Sequence, residues 1–274
     1  MKRNIKRVLI VVLCLCGFFF SSACTRRAVS TGEPLSVLDL NGRLLGVLVS
    51  PVIARPTHIN QIMGFLPSEV RAFPTSNELV TALKTRRVDG MMTTVETSKF
   101  LISADGNLTI LPRSQATHGG LSMILRRSDE ELLNDLNMAI NRLRADGVLD
   151  RLYQQYISNV TVNRLAETPV LLPETEGAGT ILVGINGDLP PYDYISADGR
   201  PAGFNVALMD EISRVLEKNI KFVTIPSEAR FSALLSSARR MDLFFWFYGN
   251  LENDRLVLTE RYADVEECIL VRKQ

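Results

Sequence analysis

Short apolar segments alternate with amphipathic segments along most of this chain, and this alternation restricts its fold more than any other feature. The apolar segments have the length of buried strands, and the segments between them place leucines at helical spacing. Strands that alternate with helices are typical of a mostly parallel α/β sheet. The predicted strands cover residues 44–49, 69–73, 88–92, 120–125, 181–185, 220–225, 241–247 and 268–271.

Helix boundaries are marked by capping residues and by glycine. Thr75 with Glu78, and Ser128 with Glu131, have the spacing of a capping box in front of an apolar helical pattern. Gly147 is expected to separate two helices near the end of the first half. Helices are also predicted over residues 95–102 and 227–239 and from about residue 204 onward. A stretch with several prolines, glycines and acidic residues, 160–180, is predicted to be a linker.

The first 24 residues have the pattern of a bacterial export signal. Four basic residues precede an apolar run over 8–20, and Ser-Ser-Ala follows at 21–23. The run is too short to predict a membrane-spanning helix. Cys24 comes next, in a context that resembles the lipobox of bacterial lipoproteins, where the cysteine becomes the lipidated first residue. Position 21 is serine instead of the usual leucine, so a retained anchor or an ordinary signal peptide are the alternatives.

The signal segment changes how charge and cysteine content are interpreted. We expect residues 1–23 to be removed and 24–34 to form a lipidated tether at the bacterial cell envelope, on the periplasmic or extracellular side. The remaining chain has 27 basic and 30 acidic residues, and this balance argues against nucleic-acid binding. Cys268 is then the only free thiol, which excludes an internal disulfide and predicts a small buried apolar residue.

The stretch ILVGINGDLPPYDYISADGRPAGFNVALMDEI, residues 181–212, resembles the start of the bacterial periplasmic solute-binding proteins of the polar amino-acid class, family 3 with the type II fold. Two segments of the first half resemble later parts of the same family. DLNGRLLGVLV is similar to the beginning of its second lobe, and SDEELLNDLNMAINRLRADGVLDRLYQQYIS is similar to its closing helices. The order of these parts along the chain is therefore reversed.

The resemblance implies a two-lobed α/β fold with a hinge, circularly permuted. Residues 35–125 would form a second-lobe-like region, 126–159 the closing helices, and 181–274 a first-lobe-like region that ends in a hinge strand. The linker would join the family's usual termini, because the termini of a domain often lie close together. The alternative is two incomplete domains that each need a partner chain.

The resemblance also implies a ligand site in the interlobe cleft. Arg255 stands where the family clamps a ligand carboxylate, although it could also be a surface arginine. Tyr192 could pack under a ligand or plug the lobe core, and Thr94 replaces the aspartate that holds an ammonium group. Glu96 is expected to point elsewhere along its helix. The other candidates are Asn186, Tyr248 and Asn250.

These features predict a monomeric solute-binding lipoprotein that captures a small polar or carboxylate-bearing, amino-acid-like ligand for a membrane transporter permease. The alternative is a degenerate binding domain that acts as a sensor or interaction module for a membrane partner. The chain has no P-loop, H-E-x-x-H or G-x-S-x-G motif, and its two histidines, His58 and His118, lack metal-site spacing. We therefore expect neither an enzyme nor a bound cofactor or metal.

Overall fold

The computed structural model describes residues 36–49, 56–112, 117–159, 161, 174–247 and 253–273, and strands and helices alternate within these ranges. The strands are β1 Leu44–Leu48, β2 Glu69–Phe73, β3 Gly90–Thr94, β4 Leu108–Ile110, β5 Thr117–Arg126, β6 Thr180–Ile185, β7 Asp188–Leu189, β8 Asp193–Ile195, β9 Pro201–Ala202, β10 Asn219–Thr224, β11 Leu243–Trp246, β12 Leu256–Leu258 and β13 Ala263–Arg272. The helices are α1 Pro56–Met63, α2 Ser76–Lys84, α3 Val95–Ala104, α4 Glu130–Ala145, α5 Val148–Tyr153, α6 Phe204–Leu216 and α7 Arg230–Leu235.

Ten of these strands form one hydrogen-bonded sheet with the order β10-β6-β11-β5-β13-β3-β1-β2, where β12 also pairs with β5 and β4 with β13. The pairs β1–β2, β1–β3, β6–β10 and β6–β11 are parallel. Strands β7, β8 and β9 form a separate small antiparallel sheet. The predicted α/β class is confirmed. The large sheet is mixed, not mostly parallel, because its parallel pairs lie at the two ends and the pairs made by β5 and β13 are antiparallel.

The long strands β5 and β13 cross from one half of the large sheet to the other. Residues 117–121 of β5 pair with β13, and residues 122–125 pair with β11. Likewise, β13 pairs with β5 at its start and with β3 and β4 towards its end. We call the part that contains β6–β12 and α4–α7 lobe 1, and the part that contains β1–β4 and α1–α3 lobe 2. The two crossing strands link the lobes, as expected for a hinge.

Both crossing strands are longer than their apolar patterns suggested. The sequence predicted a strand over residues 268–271 only, because the acidic residues Asp264, Glu266 and Glu267 interrupt the apolar pattern before it. In the structure, β13 begins at Ala263.

Cys268 is buried with its Sγ atom 3.1 Å from the Ser98 Oγ atom of α3. This agrees with the predicted small buried residue.

Helices from the first half of the chain complete the core of lobe 1. Leu136, Ile140 and Leu143 of α4 belong to one buried cluster with Val183 of β6 and Phe204 of α6. The helical spacing of these leucines and the isoleucine is what directs them to one face. Residues 126–159 and the segment after residue 180 therefore fold against each other, although the linker separates them in sequence.

The beginning of β1 and the end of β13 are near neighbours in lobe 2. Leu45 lies opposite Gly90 on β3, and the next residue of β3, Met91, lies opposite Leu270. Only β3 separates the two strands, so their distance is about two strand spacings, or ~10 Å. Circular permutation requires such proximity at the new ends, and permutation itself stays a prediction.

Several predicted boundaries differ from the structure for local reasons. The helix predicted over residues 227–239 is a 3₁₀ turn, Ser227–Ala229, followed only by the short α7. The Ser128 capping box is wrong, because Asp129 is the residue before α4 and makes no side-chain cap. Its carboxylate instead accepts a 2.7 Å hydrogen bond from Arg126 Nε. The Thr75 cap is confirmed, with the Glu78 N–H donating to Thr75 Oγ1 over 3.2 Å.

Gly203 explains why a glycine precedes the phenylalanine that begins α6. Its φ angle is +109°, a region that side chains rarely adopt. A Cβ atom at this position would lie 2.5 Å from the Tyr192 carbonyl oxygen and 2.8 Å from that of Pro191. The glycine thus lets α6 begin directly against the loop that carries Tyr192.

A buried arginine holds the outer end of lobe 1 together. The Arg126 guanidinium donates to the carbonyl oxygens of Leu234 and Met241, each over 2.8 Å. It also pairs with the carboxylates of Asp129 at 2.7 Å and Asp242 at 2.8 Å. Because its donors are shared among β5, α4, α7 and the start of β11, this residue orders four elements at once.

Candidate functional site

Strand ends from the two lobes meet at the cleft beside the crossing strands. In lobe 2, β3 ends at Thr94, which begins α3. In lobe 1, β6 leads into the loop and small sheet that carry Tyr192. The Tyr192 side chain is fully buried, and its hydroxyl lies 3.2 Å from Thr94 Oγ1 and 3.2 Å from Glu96 Oε2. Ligands of two-lobed α/β proteins bind at such strand ends.

The Tyr192 hydroxyl has one proton, so it can donate to only one of these two acceptors at a time. A carboxylate is the stronger acceptor, and we assign the donated bond to Glu96. Burial raises the pKa of Tyr192 well above its ordinary value of 10, and the charge of Glu96 raises it further. The phenol therefore stays protonated and connects lobe 1 to lobe 2 at neutral pH.

A second tyrosine reaches the same carboxylate. The Tyr153 hydroxyl, at the end of α5, lies 3.3 Å from Glu96 Oε1. Burial, followed by the charge of Glu96, raises the pKa of Tyr153 to about 12. Two phenols from separate parts of lobe 1 thus converge on one carboxylate of lobe 2.

The expectation that Glu96 points elsewhere is wrong, and the reason lies in the start of α3. Thr94 is the N-cap, and its Oγ1 accepts a hydrogen bond from the Thr97 N–H over 3.2 Å. Glu96 is therefore in the first helical turn, where the helix dipole stabilises a negative charge. The sequence signal was present: an acid placed two residues after a threonine that directly precedes a predicted helix.

A third contact crosses the cleft between Asp188 and α2. The Asn77 N–H, in the first turn of α2, donates to Asp188 Oδ2 over 3.1 Å. Burial raises the pKa of Asp188 above its ordinary value of 3.8, while the amides of Asn77 and Ser76 lower it. The carboxylate of lobe 1 thus occupies the positive end of a lobe 2 helix. Asp188 was not predicted as a site residue.

A cavity of about 50 Å³ lies at this junction. Its described walls are Leu48, Met92, Thr93, Thr94, Thr97, Leu189, Phe247 and Glu267. Phe247 packs edge-to-face on Tyr192, with ring centroids 5.0 Å apart. Glu267 belongs to the crossing strand β13 and is only 6% exposed. The walls therefore combine threonine hydroxyls, a buried carboxylate and apolar side chains.

The other predicted site residues do not all reach this junction. Asn186 makes its hydrogen bonds within lobe 1. Its Oδ1 accepts a hydrogen bond from the Ser227 hydroxyl over 3.0 Å, and its N–H donates to Asp193 over 2.9 Å. Arg255 is exposed. Its carbonyl oxygen accepts the Arg127 N–H over 2.9 Å. Tyr248, Asn250 and Cys24 lie outside the described residues.

Strand pairing explains where Arg255 lies. Its neighbour Leu256 is opposite Arg126, whereas β5 leaves its pairing with β13 at Leu121. Five residues of strand separate these two points, or about 17 Å. Arg255 therefore lies beside the outer end of β5, away from the point where the lobes meet. The structure does not bring it together with Tyr192 and Thr94.

Buried polar groups hold the Tyr192 loop in position. Asp193 accepts the N–H groups of Asn186 and Gly187 and the side-chain amide of Asn205. Burial, its largest influence, raises the pKa of Asp193 above 3.8. The Tyr262 hydroxyl completes the chain by donating to Asn205 Oδ1 over 2.9 Å. This network lies within lobe 1 and holds the Tyr192 loop against the rest of that lobe.

The part of the chain that the structure describes lacks two kinds of feature. There, no group of three or more histidine, cysteine or acidic side chains is placed to hold a metal ion. No helix in the same ranges has the length and apolar character needed to cross a membrane.

Comparison with known protein families gives a match for the last third of the chain. Residues 181–274 match the sequence model of the bacterial extracellular solute-binding proteins, family 3. This match confirms the resemblance carried by residues 181–212 and extends it to the end of residues 181–274. No curated protein sequence matches the chain.

Several solved structures match the chain at low sequence identity. The zinc-bound ligand-binding component of an ABC-type import system from Staphylococcus aureus is 11% identical, with 85% of this chain and 66% of that chain covered and a TM-score of 0.44. A glutathione-bound ABC transporter periplasmic binding protein from Brucella ovis is 13% identical, with 85% and 62% covered and a TM-score of 0.42. A variant of arginine-bound ArgBP from T. maritima is 14% identical, with 84% and 87% covered and a TM-score of 0.38.

Proposed function

We propose that this protein is an extracytoplasmic solute-binding protein whose two lobes close over a small solute in the cleft. The observation that carries the proposal is the junction itself. Two crossing strands join the lobes, and a cavity lies beside them where Tyr192 of lobe 1 reaches Glu96 of lobe 2. A pair of lobes on a two-strand hinge can open to admit a solute and close to bury it.

Closure links solute binding to a change that a partner can recognise. A solute that contacts both lobes stabilises the closed form relative to the open form by its difference in affinity for the two. The family match and the predicted export signal support a membrane partner, either a transporter permease or a membrane sensor. The lobe surfaces around the cleft are the surfaces that such a partner would distinguish.

We also propose that Cys24 is lipidated and anchors the chain to the bacterial cell envelope. Mass spectrometry of the protein purified from bacterial membranes should find a lipid-modified residue 24 at the N-terminus. Cys24→Ser should release the protein into the aqueous fraction, and Cys268→Ser, a change at a buried thiol, should not. A membrane-bound Cys24→Ser protein with an intact N-terminus would refute lipid anchoring and favour a retained signal.

Thermal unfolding with a panel of amino acids, amines, carboxylates and small peptides tests the solute-binding proposal. A solute at a hundred times its dissociation constant adds about 2.7 kcal/mol to the free energy of unfolding. Thr93→Leu places extra volume in the cavity wall and should abolish the gain, whereas Thr81→Leu on the exposed side of α2 should keep it. Failure of every solute in the panel to stabilise the protein would refute the proposal.

One observation favours a second candidate, the interaction module. Tyr192 is fully buried at the junction, and a cavity of about 50 Å³ holds only about two water molecules. A module of this kind would remain closed without solute, and no member of the panel would stabilise it. Its binding to a membrane partner would then be the same with and without the panel solutes.

A further inference from the structure

We infer that the outer end of lobe 2 lies on an anionic phospholipid surface, with two leucines in the headgroup region and basic side chains against the phosphates. The outer end of lobe 2 comprises the beginnings of β1, β2 and β3, the end of β13 and the loops that adjoin them. The inference rests on the proposed N-terminal anchoring, by a lipid at Cys24 or by a retained signal. It goes further by assigning the surface that faces the bilayer.

Strand register places these segments at one level, away from the cleft. The first residues of β1 and β2 lie opposite each other, and Leu45 lies opposite the first residue of β3. Strand β13 ends beside the beginning of β3, since Leu270 lies opposite Met91. The five residues of β3 carry the chain about 13 Å from this end to Thr94 at the cleft. A bilayer at the outer end therefore leaves the cleft open to solutes.

Two exposed leucines lie together at this end. Leu38, in the 3₁₀ turn Val37–Leu40, is 60% exposed, and Leu66, which precedes β2, is 47% exposed. Asn41 joins them, because its side-chain amide donates to the Leu38 carbonyl over 2.7 Å and its Oδ1 accepts from the Leu66 N–H over 2.8 Å. Leucines bordered by cations can enter the boundary between headgroups and acyl chains.

The outer end of lobe 2 also carries excess positive charge, although the chain after residue 23 has 27 basic and 30 acidic residues. Arg43 and Asp89 form one pair there at 3.8 Å. The other charged side chains of the described residues at this end are six basic ones, Arg71, Lys84, Arg86, Arg87, Arg272 and Lys273, and three acidic ones, Asp39, Glu69 and Asp105.

Pairing within this end leaves the excess on particular cations. Arg71 and Lys84 each pair with an acidic side chain, at 2.7 and 2.9 Å. Arg87 and Lys273 are exposed and add to the positive charge. An anionic bilayer attracts cations that come within a Debye length of its surface, and a zwitterionic bilayer lacks this attraction.

The start of the chain favours a bilayer over an acidic protein as the occupant. Ser36 directly precedes the 3₁₀ turn that carries Leu38, and the chain continues from this turn into β1. Twelve residue steps separate Cys24 from Ser36, a reach of at most about 40 Å. A bilayer that holds residue 24 is therefore always within reach of the outer end of lobe 2. An acidic protein would match the charge but has no such link to the chain.

Quenching of fluorophores by spin-labelled lipids tests the inference on the full-length protein, purified from bacterial membranes and reconstituted into vesicles. One label is placed at Asn107→Cys, an exposed residue whose carbonyl accepts the Lys273 N–H at the outer end. The other is at Met138→Cys on lobe 1, and both proteins carry Cys268→Ser. In phosphatidylglycerol vesicles we expect position 107 to be quenched several-fold more than position 138. Phosphatidylcholine vesicles should reduce this difference.

Charge variants measure the contribution of the cations. Arg87→Gln with Lys273→Gln should lower the ratio of docked to undocked protein about thirtyfold in phosphatidylglycerol vesicles, since each cation at an anionic surface contributes roughly a factor of five. Arg142→Gln with Arg240→Gln is the matched control, because it removes the same charge from exposed positions of lobe 1. High salt, which screens charge without any substitution, should act like the first pair.

Flotation of the vesicles separates the possible failures. Protein that does not float with either vesicle refutes the N-terminal anchoring, and the docking inference with it. Protein that floats while position 107 is quenched no more than position 138 overturns docking and leaves anchoring intact, and it points to an acidic protein as the occupant. Quenching at position 107 that is equal in both lipids and unchanged by salt would overturn the role of the cations.

Discussion

Removing one hydroxyl, with Tyr192→Phe, should open the cleft without unfolding the protein. The phenol of Tyr192 is buried and donates to Glu96 of the opposite lobe over 3.2 Å. When the lobes separate, water replaces the phenol at the carboxylate. The bond therefore stabilises the closed form relative to the open form, and the phenylalanine ring retains the packing against Phe247.

The size of the effect follows from the charge on the acceptor. A hydrogen bond to a charged group contributes about 1.5 to 3 kcal/mol. Because the bond exists only in the closed form, its loss should shift the equilibrium towards the open form by about 10- to 150-fold. Within the described residues, the bonds from Tyr153 to Glu96 and from Asn77 to Asp188 still join the lobes, so the closed form should stay detectable.

Spin labels on the two lobes measure this opening. Leu66→Cys in lobe 2 and Met138→Cys in lobe 1 are suitable sites, because these side chains are 47% and 54% exposed. Tyr192→Phe should broaden the label distance towards longer values. Tyr262→Phe is the matched control, since it also removes a buried phenol hydroxyl but one that bonds within lobe 1. Equal distance distributions for the two variants would refute the interlobe role of Tyr192.

Three further changes test the parts of the fold that support the site. Arg126→Met should lower the free energy of unfolding by about 3 to 5 kcal/mol, because it leaves buried acceptors unpaired. Arg127→Met changes an exposed arginine and should lower this free energy far less. Equal decreases for the two variants in urea denaturation would contradict this prediction. The raised pKa of Asp193 favours its protonated form in the folded state, so its contribution is complete below pH 3.8 and is lost as the pH rises through the raised pKa. Asp193→Asn should remove that part of the pH dependence, and an unchanged slope in unfolding measured from pH 3 to 7 would contradict the assignment. Gly203→Ala should destabilise the protein by at least about 1 kcal/mol, since its Cβ would lie 2.5 Å from a backbone oxygen; an unchanged melting temperature would argue against this geometry.

The architecture was largely predictable because it depends on periodic patterns. The apolar alternation gave the strands of both lobes, and the Gly-Phe pair marked the first residue of α6. The helix after residue 227 was overestimated, because apolar spacing alone does not indicate where a short helix ends. Strand β12 and helix α1 were missed, since three or eight residues with mixed polarity carry a weak periodic signal.

The site was less predictable because it depends on contacts between distant parts of the chain. Tyr192 and Thr94 were both identified, but their mutual contact joins residues 98 positions apart and has no local signature. The direction of the Glu96 side chain was predicted incorrectly. A helical pattern gives the angle of a side chain around its own helix, but without the Thr94 cap it gives no direction relative to the other lobe. Glu267 was hidden in a segment whose acidic neighbours resemble an exposed edge.

The most direct test of a solute site between the lobes is the spin-label distance in the Tyr192→Phe protein, measured with and without the solute that most stabilises the wild type. This variant should be largely open when alone. A solute that contacts both lobes should restore the short distance of the closed form. If the solute binds and the distance stays long, the solute does not bridge the lobes, and the interlobe cleft is not its binding site.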